Sequence, residues 1–284
     1  MTNNTWQEDT FPTRDGLKLF SRFFAAGPGS DVMVILHGHG EHSGRYDKFA
    51  KELRGENLSI GVFDFRGHGR SEGPRVYFES FEDYLEDVTS FVSFLEKNYG
   101  IGGKIILLGH SVGGLVAAHW AARCPGRLKA LVLSSPCLGL RLPRVLVKFN
   151  ALLNGFIPAF AYRNPVYPPH LTHNPEEVIA YRNDNLIQRK MSVRLLHEIL
   201  TYQVRLEAEK SFSFPFPVFL LMAELEKVVD PKITREYFGK IRAPLKELKV
   251  FPGFYHEIFN ELWQDQVFAA LKECLKKSRQ AGGT

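Results

Sequence analysis

A pentapeptide of the form Gly-x-Ser-x-Gly constrains the fold of this 284-residue chain more than any other stretch. It occupies residues 109–113, with Ser111 at its centre. The apolar run 105–108 before it is typical of a buried parallel strand, and the residues from Leu115 onward favour a buried helix. A strand that turns directly into a helix holds the central serine in a cramped conformation, for which the glycines leave room. The sequence therefore predicts that the Ser111 hydroxyl projects at the carboxyl end of a sheet, beside a helix N-terminus.

Strand and helix patterns alternate on both sides of this pentapeptide. Short apolar or alternating runs predict strands at residues 17–24, 32–36, 59–64, 105–108, 130–134, 217–222 and 247–251. Amphipathic stripes predict helices at residues 81–99 and 261–277. Strands that alternate with helices build parallel sheets with helices on both faces. We therefore predict an α/β fold with a mostly parallel central sheet.

The alternation stops between residues 140 and 211, where no strand pattern is evident and a helical pattern continues. We interpret residues 140–211 as a helical cap (lid) inserted into an α/β core made of residues 1–139 and 212–284. Large apolar side chains recur at three- and four-residue spacing over residues 142–160. They are more numerous than the packing of one helix requires.

This apolar stripe predicts two kinds of contact. For any one of these residues, packing against the core accounts for its apolar character as well as substrate binding does. We nevertheless expect part of the stripe to line a site for an apolar substrate, namely Phe149, Leu152, Leu153 and Phe156. The aromatic tip of the cap, which consists of Phe156, Phe160 and Tyr162, is expected to touch membrane surfaces, helped by a net charge of +5.

Nucleophilic catalysis by Ser111 needs a histidine base that is oriented by a carboxylate. On sheets of this kind the order along the chain is serine, acid, histidine. Among the histidines after Ser111, only His256 follows directly on a predicted strand, so it is the candidate base. Two carboxylates after the preceding strand, Glu226 and Asp230, suit the role of the acid. The residue pattern does not choose between them.

An oxyanion that develops during acyl transfer needs two preplaced N–H donors. The residue after the nucleophile, Val112, supplies one of them. The second donor is expected from the glycine-rich loop after an early strand, where His39 lies in the middle of the sequence His-Gly-His-Gly at residues 37–40.

The same loop offers a metal site as an alternative. His37, His39 and His42, with Glu41, resemble the zinc motif of metallo-β-lactamase-like hydrolases. Glycines stand between the histidines here, and a zinc site does not explain the serine-centred pentapeptide. We therefore predict neither a metal nor a cofactor.

Several motifs together resemble one known family. The stretches 37–46, 64–73, 109–114, 174–184 and 253–258 are similar, in order along nearly the whole chain, to the monoacylglycerol lipase and lysophospholipase branch of the α/β-hydrolases. The resemblance implies the α/β-hydrolase fold and an acyl-ester hydrolase with Ser111 as nucleophile and His256 as base. It implies that the N–H groups of His39 and Val112 form the oxyanion hole. The implied substrates are single-chain lipids, monoacylglycerols first and lysophospholipids second.

One site departs from the family pattern. Where the family has Gly-x-x-Asp, this chain has Ala-Glu-Leu-Glu at residues 223–226. The register of the resemblance puts Glu226 in the place of the acid, with Asp230 as the fallback. A glutamate is one methylene longer, so the histidine or the strand end must shift to accept it. Two alternatives therefore remain: a weakly active or inactive scaffold that binds an apolar ligand, and an acyltransferase or perhydrolase with the same residues.

Composition limits the other classes of function. The net charge is too small for a nucleic-acid-binding surface, although it allows attraction to anionic membranes. The first residues show no signal-peptide pattern and no apolar run is long enough to span a bilayer, so we expect a cytoplasmic protein. Cys124, Cys137 and Cys274 are then reduced thiols. The oligomeric state is not indicated.

Overall fold

An eight-stranded sheet organises the protein, and a computed structural model describes residues 5–164 and 166–281. The strand order is β1-β2-β4-β3-β5-β6-β10-β12, with β1 and β2 antiparallel to their neighbours and the remaining pairs parallel. The sheet strands are β1 (Trp6–Pro12), β2 (Lys18–Phe24), β3 (Asp31–Leu36), β4 (Leu58–Phe63), β5 (Ile105–His110), β6 (Leu128–Ser134), β10 (Val218–Ala223) and β12 (Lys246–Phe251). Four short strands, β7 (Ala161–Arg163), β8 (Lys190–Ser192), β9 (Phe212–Ser213) and β11 (Ile241–Arg242), form two small sheets.

Helices cover both faces of the large sheet. They are α1 (Asp47–Glu52), α2 (Phe81–Tyr99), α3 (Val112–Arg123), α4 (Arg144–Phe156), α5 (Pro175–Asn183), α6 (Val193–Ala208), α7 (Pro231–Lys240) and α8 (Asp265–Ala281). Two buried apolar clusters lie on opposite faces of the sheet. One contains Val88 of α2 and Trp120 of α3, and the other contains Phe49 of α1 and Leu271 of α8. The predicted α/β architecture is confirmed.

Strand β1 was not predicted from the sequence. It pairs with β2, the strand predicted at residues 17–24, along seven residues and lies at the edge of the sheet. Most of its side chains are polar and exposed, and Phe11 is the one fully buried residue of the strand. A strand covered on so little of its surface has no apolar periodicity by which it can be recognised.

The segment between β6 and β10 is not entirely helical, which corrects the expectation that it contains no strand. Strands β7 and β8 pair as a three-residue antiparallel ladder, which is too short to show a period in the sequence. Helix α6 packs on the core through Leu195 and Ile199. Helix α4 is different, because its one buried side chain is Asn150, which donates a hydrogen bond to the Val193 carbonyl.

Helix length and hydropathy bear on membrane insertion. Among the described residues, no helix is both long and apolar enough to cross a bilayer.

Candidate active site

Ser111 lies at the junction of β5 and α3 in a strained conformation. Its φ of 51° and ψ of −120° are unusual for a residue with a side chain. Hydrogen bonds on both sides hold it there: Ser111 N donates to the Ser134 carbonyl at 3.1 Å, and Cys137 N donates to the Ser111 carbonyl at 2.8 Å. Strain that the surroundings impose in this way is typical of functional positions.

The two glycines of the pentapeptide are required by close backbone contacts. A Cβ atom on Gly113 would lie 2.1 Å from the carbonyl oxygen of Leu36, in the neighbouring strand β3. A Cβ atom on Gly109 would lie 2.4 Å from the carbonyl oxygen of Gly113. Both distances are far inside van der Waals contact. The pattern Gly-x-Ser-x-Gly therefore lets α3 pack directly against the sheet and fixes the direction of the turn.

His256 and Glu226 form a buried pair beside this turn. His256 Nδ1 lies 2.8 Å from Glu226 Oε2, and both side chains are almost fully buried. The other carboxylate oxygen, Oε1, accepts hydrogen bonds from the N–H groups of Val228 and Val229 at 2.8 and 3.3 Å. The longer glutamate therefore reaches the imidazole, and it leaves Nε2 as the ring nitrogen that is free to act.

Each member of this pair stabilises the charged form of the other. Burial alone lowers the pKa of His256, but the charge and hydrogen bond of Glu226 outweigh it and raise the pKa above its ordinary value. Burial likewise raises the pKa of Glu226, and His256 with the Val228 and Val229 N–H groups reverses this and lowers it. The arrangement therefore favours an imidazolium next to a carboxylate, which is the state that a base reaches after it takes a proton.

Asp230 is used differently. Its Oδ1 accepts a hydrogen bond from Lys232 N at 2.9 Å and so caps the N-terminus of α7. Arg141 Nε donates to its Oδ2 at 3.1 Å. No hydrogen bond or ion pair joins the side chain to His256. The structure therefore brings Glu226, and not Asp230, to the imidazole.

Ser111 and His256 line the same cavity, whose volume is about 580 Å³, together with Glu226, His39 and Val112. Within residues 5–164 and 166–281, Ser111 Oγ makes no hydrogen bond, to His256 or to any other group. Catalytic hydrogen bonds are often long before a substrate binds. The hydroxyl is thus free of competing partners on a wall that it shares with the imidazole.

Two backbone N–H groups are available on this wall. In the part of the chain that the structure describes, neither His39 N nor Val112 N donates a hydrogen bond. Val112 is the first residue of α3, where helix geometry leaves N–H groups unpaired. The His39 loop is held in place because Gly38 N donates to Glu41 Oε2 at 3.0 Å. The arrangement suits a negatively charged oxygen between the two loops.

The histidines of the same loop bind to separate partners. His37 Nε2 accepts a hydrogen bond from Phe65 N at 2.9 Å, and His39 Nε2 donates to the Lys190 carbonyl at 2.9 Å. His42 Nε2 lies 2.8 Å from Asp184 Oδ2. No group of three or more His, Cys, Asp or Glu side chains is arranged for a metal ion among the described residues.

Helix α4 contributes two of the four expected substrate-binding residues to the cavity. Phe149 and Leu153 line it, whereas Leu152 and Phe156 do not and are 59% and 78% exposed. Several apolar lining residues are not among those four, including Leu146 of the same predicted stripe, and Leu171, Met191, Leu196 and Ile199. Leu146 precedes Phe149 by three residues and Leu153 by seven, so helical spacing is the signal that identifies it. The others come from separate segments and carry no local signal.

Comparison with known proteins identifies relatives that match most of this chain. A family model, Hydrolase_4, described as serine aminopeptidase S33, matches residues 28–262. The human monoglyceride lipase is 33% identical over 279 residues, which cover 95% of this chain and 90% of the relative. Phospholipase YtpA of Bacillus subtilis is 32% identical over 85% of this chain and 93% of its own length. The chain spans only 44% of a longer relative, the uncharacterized protein YnbC of Escherichia coli.

A solved structure gives the same result at the level of the fold. The monoacylglycerol lipase of Paleococcus ferrophilus superposes with a TM-score of 0.79 and 29% identity, over 96% of this chain and 99% of that one. The resemblance seen in the motifs is confirmed. The chain belongs to the Hydrolase_4 family, serine aminopeptidase S33, within the α/β-hydrolases.

Proposed function

We propose that this chain, an ester hydrolase by its family and relatives, cleaves single-chain lipid esters with Ser111 as nucleophile and His256 as base. Monoacylglycerols are the first substrates and lysophospholipids the second. The observation that carries the proposal is the Glu226–His256 pair, whose free Nε2 belongs to the same cavity wall as the strained Ser111. Glu226 takes the place of the acid.

In this mechanism Ser111 Oγ attacks the ester carbonyl carbon while its proton passes to His256 Nε2. The oxyanion of the tetrahedral intermediate accepts hydrogen bonds from the N–H groups of His39 and Val112. Collapse of the intermediate breaks the bond to the alcohol, which takes the proton from His256 and leaves an acyl-enzyme. Water then attacks the acyl carbon with His256 as base, and the fatty acid and free Ser111 are released.

The lining of the cavity supports a single acyl chain as the substrate's main feature. Most lining side chains from the inserted segment are apolar, and a volume of about 580 Å³ suits a small lipid. The human relative is a monoglyceride lipase, YtpA is a phospholipase and the Paleococcus ferrophilus enzyme is a monoacylglycerol lipase. These relatives support the lipid class for this chain.

The family description mentions an aminopeptidase, and the charges of the cavity argue against that activity. An aminopeptidase must receive a cationic α-amino group, for which an unpaired carboxylate is suited. Among the described residues the cavity is lined by three carboxylates, and each of them is paired. Glu226 is bonded to His256, and Glu41 and Glu257 are both bonded to Arg45. A neutral ester fits this lining better.

We also propose that residues 140–211 form a cap over a core of residues 1–139 and 212–284, and that the outer face of α4 contacts membranes. Phe156 and Leu152 are largely exposed there, as is Val145 at 69%. Helix α4 carries the exposed Arg144 and Lys148 and contains no Asp or Glu, so this face suits an anionic lipid surface. We assign the contact to the cytoplasmic side, because Cys124, Cys137 and Cys274 are free thiols.

Co-sedimentation with vesicles tests the membrane contact. We expect the protein to bind vesicles of phosphatidylglycerol and phosphatidylcholine more strongly than vesicles of phosphatidylcholine alone. The double variant Leu152→Ser and Phe156→Ser should lose most of this binding. Val204→Ser removes an equally exposed apolar residue from α6 and serves as the control. Unchanged binding of the double variant would contradict the proposed contact.

Labelling with a fluorophosphonate probe, together with an ester panel, tests the reaction. The wild type should react with the probe and hydrolyse p-nitrophenyl butyrate and monoacylglycerols, and Ser111→Ala should lower kcat by about 10⁶-fold. Ser93→Ala, on the exposed side of α2, is the control. A wild type that is inert to probe and esters would show the binding scaffold instead. Acyl transfer to an added alcohol, without hydrolysis, would show a transferase.

A further inference from the structure

Three buried ionisable side chains form what we call the Arg45 cluster: Glu41 and Glu257, which line the cavity, and Arg45, which lies behind them. Arg45 Nη1 donates to Glu41 Oε1 at 2.6 Å. Its Nη1 and Nη2 donate to the two carboxylate oxygens of Glu257 at 2.7 Å each. None of the three side chains is more than 10% exposed. A guanidinium that binds a carboxylate through two nitrogens is fixed in orientation as well as in distance.

Each carboxylate of the cluster is attached to a different part of the proposed machinery. Glu41 Oε2 accepts the hydrogen bond from Gly38 N, directly before the oxyanion donor His39. Glu257 follows His256 in the chain, and its Oε2 also accepts a hydrogen bond from Asn260 Nδ2 at 2.9 Å. Arg45 therefore joins the loop that carries one oxyanion donor to the loop that carries the base.

Stability alone explains this cluster poorly. Taking three charged groups out of water is unfavourable, and well-packed apolar side chains can often replace a buried ion pair without loss of stability. A role in fixing two loops against each other accounts both for the hydrogen-bond geometry of Arg45 and for the position of each carboxylate.

The charge balance of the cluster also matters at the site. Two carboxylates and one guanidinium leave a net negative charge near the imidazole. Burial lowers the pKa of His256, whereas Glu226, and after it Glu257 and Glu41, raise it. His110 also faces the imidazole, with ring centroids 5.0 Å apart. The negative charge of these carboxylates stabilises the imidazolium that forms when Ser111 attacks.

We propose that Arg45 is a positioning residue that holds the His39 donor and the His256 base at a fixed separation, through Glu41 and Glu257. The inference rests on the function proposed above, because it concerns residues that act together in that reaction. Arg45 does not line the cavity and touches no reacting atom. Its effect is therefore expected in kcat, while substrate binding is little changed.

The test compares Arg45→Lys with Arg66→Lys. Arg66 is equally buried and binds Asp87 through two nitrogens, at 2.7 and 2.6 Å, so it matches Arg45 in burial and geometry. Lysine keeps the charge and loses the two-nitrogen contact. We expect Arg45→Lys to lower kcat for p-nitrophenyl butyrate by about 10- to 100-fold, with KM changed less than about threefold. Arg66→Lys should keep the wild-type kcat, and thermal unfolding of both variants measures the structural loss.

Glu257→Gln supplies a second readout that a merely structural role would not move. It removes one negative charge near His256 and keeps an oxygen that Arg45 can bind. We expect the acid limb of its kcat/KM profile to move to lower pH, because the imidazolium loses a stabilising charge. Arg45→Lys keeps every charge and should leave that limb in place.

Two results separate this inference from the proposed function. A wild type that hydrolyses the ester, together with a fully active Arg45→Lys and an unmoved acid limb in Glu257→Gln, overturns the role of Arg45 alone. A wild type that neither hydrolyses the ester nor reacts with a fluorophosphonate overturns the proposed function and this inference with it.

Discussion

The two sides of the cavity are built in opposite ways. On the core side, Glu226 uses both carboxylate oxygens within the protein, and Ser111 is held in a strained conformation by its neighbours. On the other side, α4 buries only Asn150 and leaves most of its apolar residues to solvent. Proton transfer depends on atomic positions, whereas an acyl chain needs only apolar contact. The core side therefore depends on exact atomic positions, whereas the α4 side depends only on being apolar.

One of the places where the two sides meet is the loop that carries His39. Gln188 N donates to the Gly40 carbonyl at 2.8 Å, and Lys190 accepts the hydrogen bond from His39. Residues 188–190 of the inserted segment thus rest on the oxyanion loop, while α4 packs mainly on α6. Substitutions on the core side should have large effects, and substitutions on α4 should have graded ones.

The largest expected effect concerns the acid. Glu226→Gln should lower kcat by about 10³- to 10⁴-fold, because the imidazole loses the carboxylate that orients it and stabilises its charged form. Asp230→Asn should keep kcat within about threefold, since Asp230 caps α7 and pairs with Arg141. Steady-state kinetics on p-nitrophenyl butyrate measures both. If only Asp230→Asn were inactive, Glu226 would not be the acid.

The second largest effect is expected at the close contact between Gly113 and the Leu36 carbonyl. Gly113→Ala should lower the free energy of unfolding by about 3 kcal/mol, because its Cβ would overlap the Leu36 carbonyl and force α3 away from the sheet. Gly126→Ala is the matched control, since nothing lies within 4 Å of the added atom. It should change stability by less than about 0.5 kcal/mol. Urea unfolding measures both, and equal stabilities would contradict the close packing of Gly113 on the Leu36 carbonyl.

The pH dependence of the wild type is a further test of the core side. Only the neutral imidazole accepts the Ser111 proton, so kcat/KM should fall about tenfold per pH unit as the pH drops through the pKa of His256. That pKa is raised, so the midpoint should lie above the ordinary histidine value of 6.5. In Glu226→Gln the residual activity should still fall at acid pH, but the midpoint of its kcat/KM profile should lie at a lower pH than in the wild type. A midpoint below 6.5 in the wild type would contradict the conclusion that Glu226 raises the pKa of His256.

The smallest effect is expected on α4. Leu153→Ala should lower kcat/KM for long-chain monoacylglycerols by about 5- to 10-fold, because apolar contact with the acyl chain is lost. Hydrolysis of p-nitrophenyl acetate should stay within about twofold. Leu152→Ala removes the neighbouring side chain, which lies outside the cavity, and should leave both rates unchanged. Equal losses in the two variants would mean that this side of the cavity is not selective.

The sequence by itself determined the α/β architecture, the turn at Ser111 and the loop that carries His256. These features are local: a strand, a turn that needs glycine and a helix follow one another in a few residues, and parallel strands bring their carboxyl ends to one edge. Even the missed strand β1 has a local reason, since its side chains are mostly polar and exposed.

Only the tertiary structure decided which partners meet. Glu226 and Asp230 are four residues apart and chemically alike, but one turns inward to His256 while the other begins a helix. In the same way, Leu152 and Leu153 are adjacent and identical, and packing of α4 against α6 sends only one of them into the cavity. Composition and spacing state what a residue is able to do, whereas the direction of a side chain depends on contacts between segments that lie far apart in the chain.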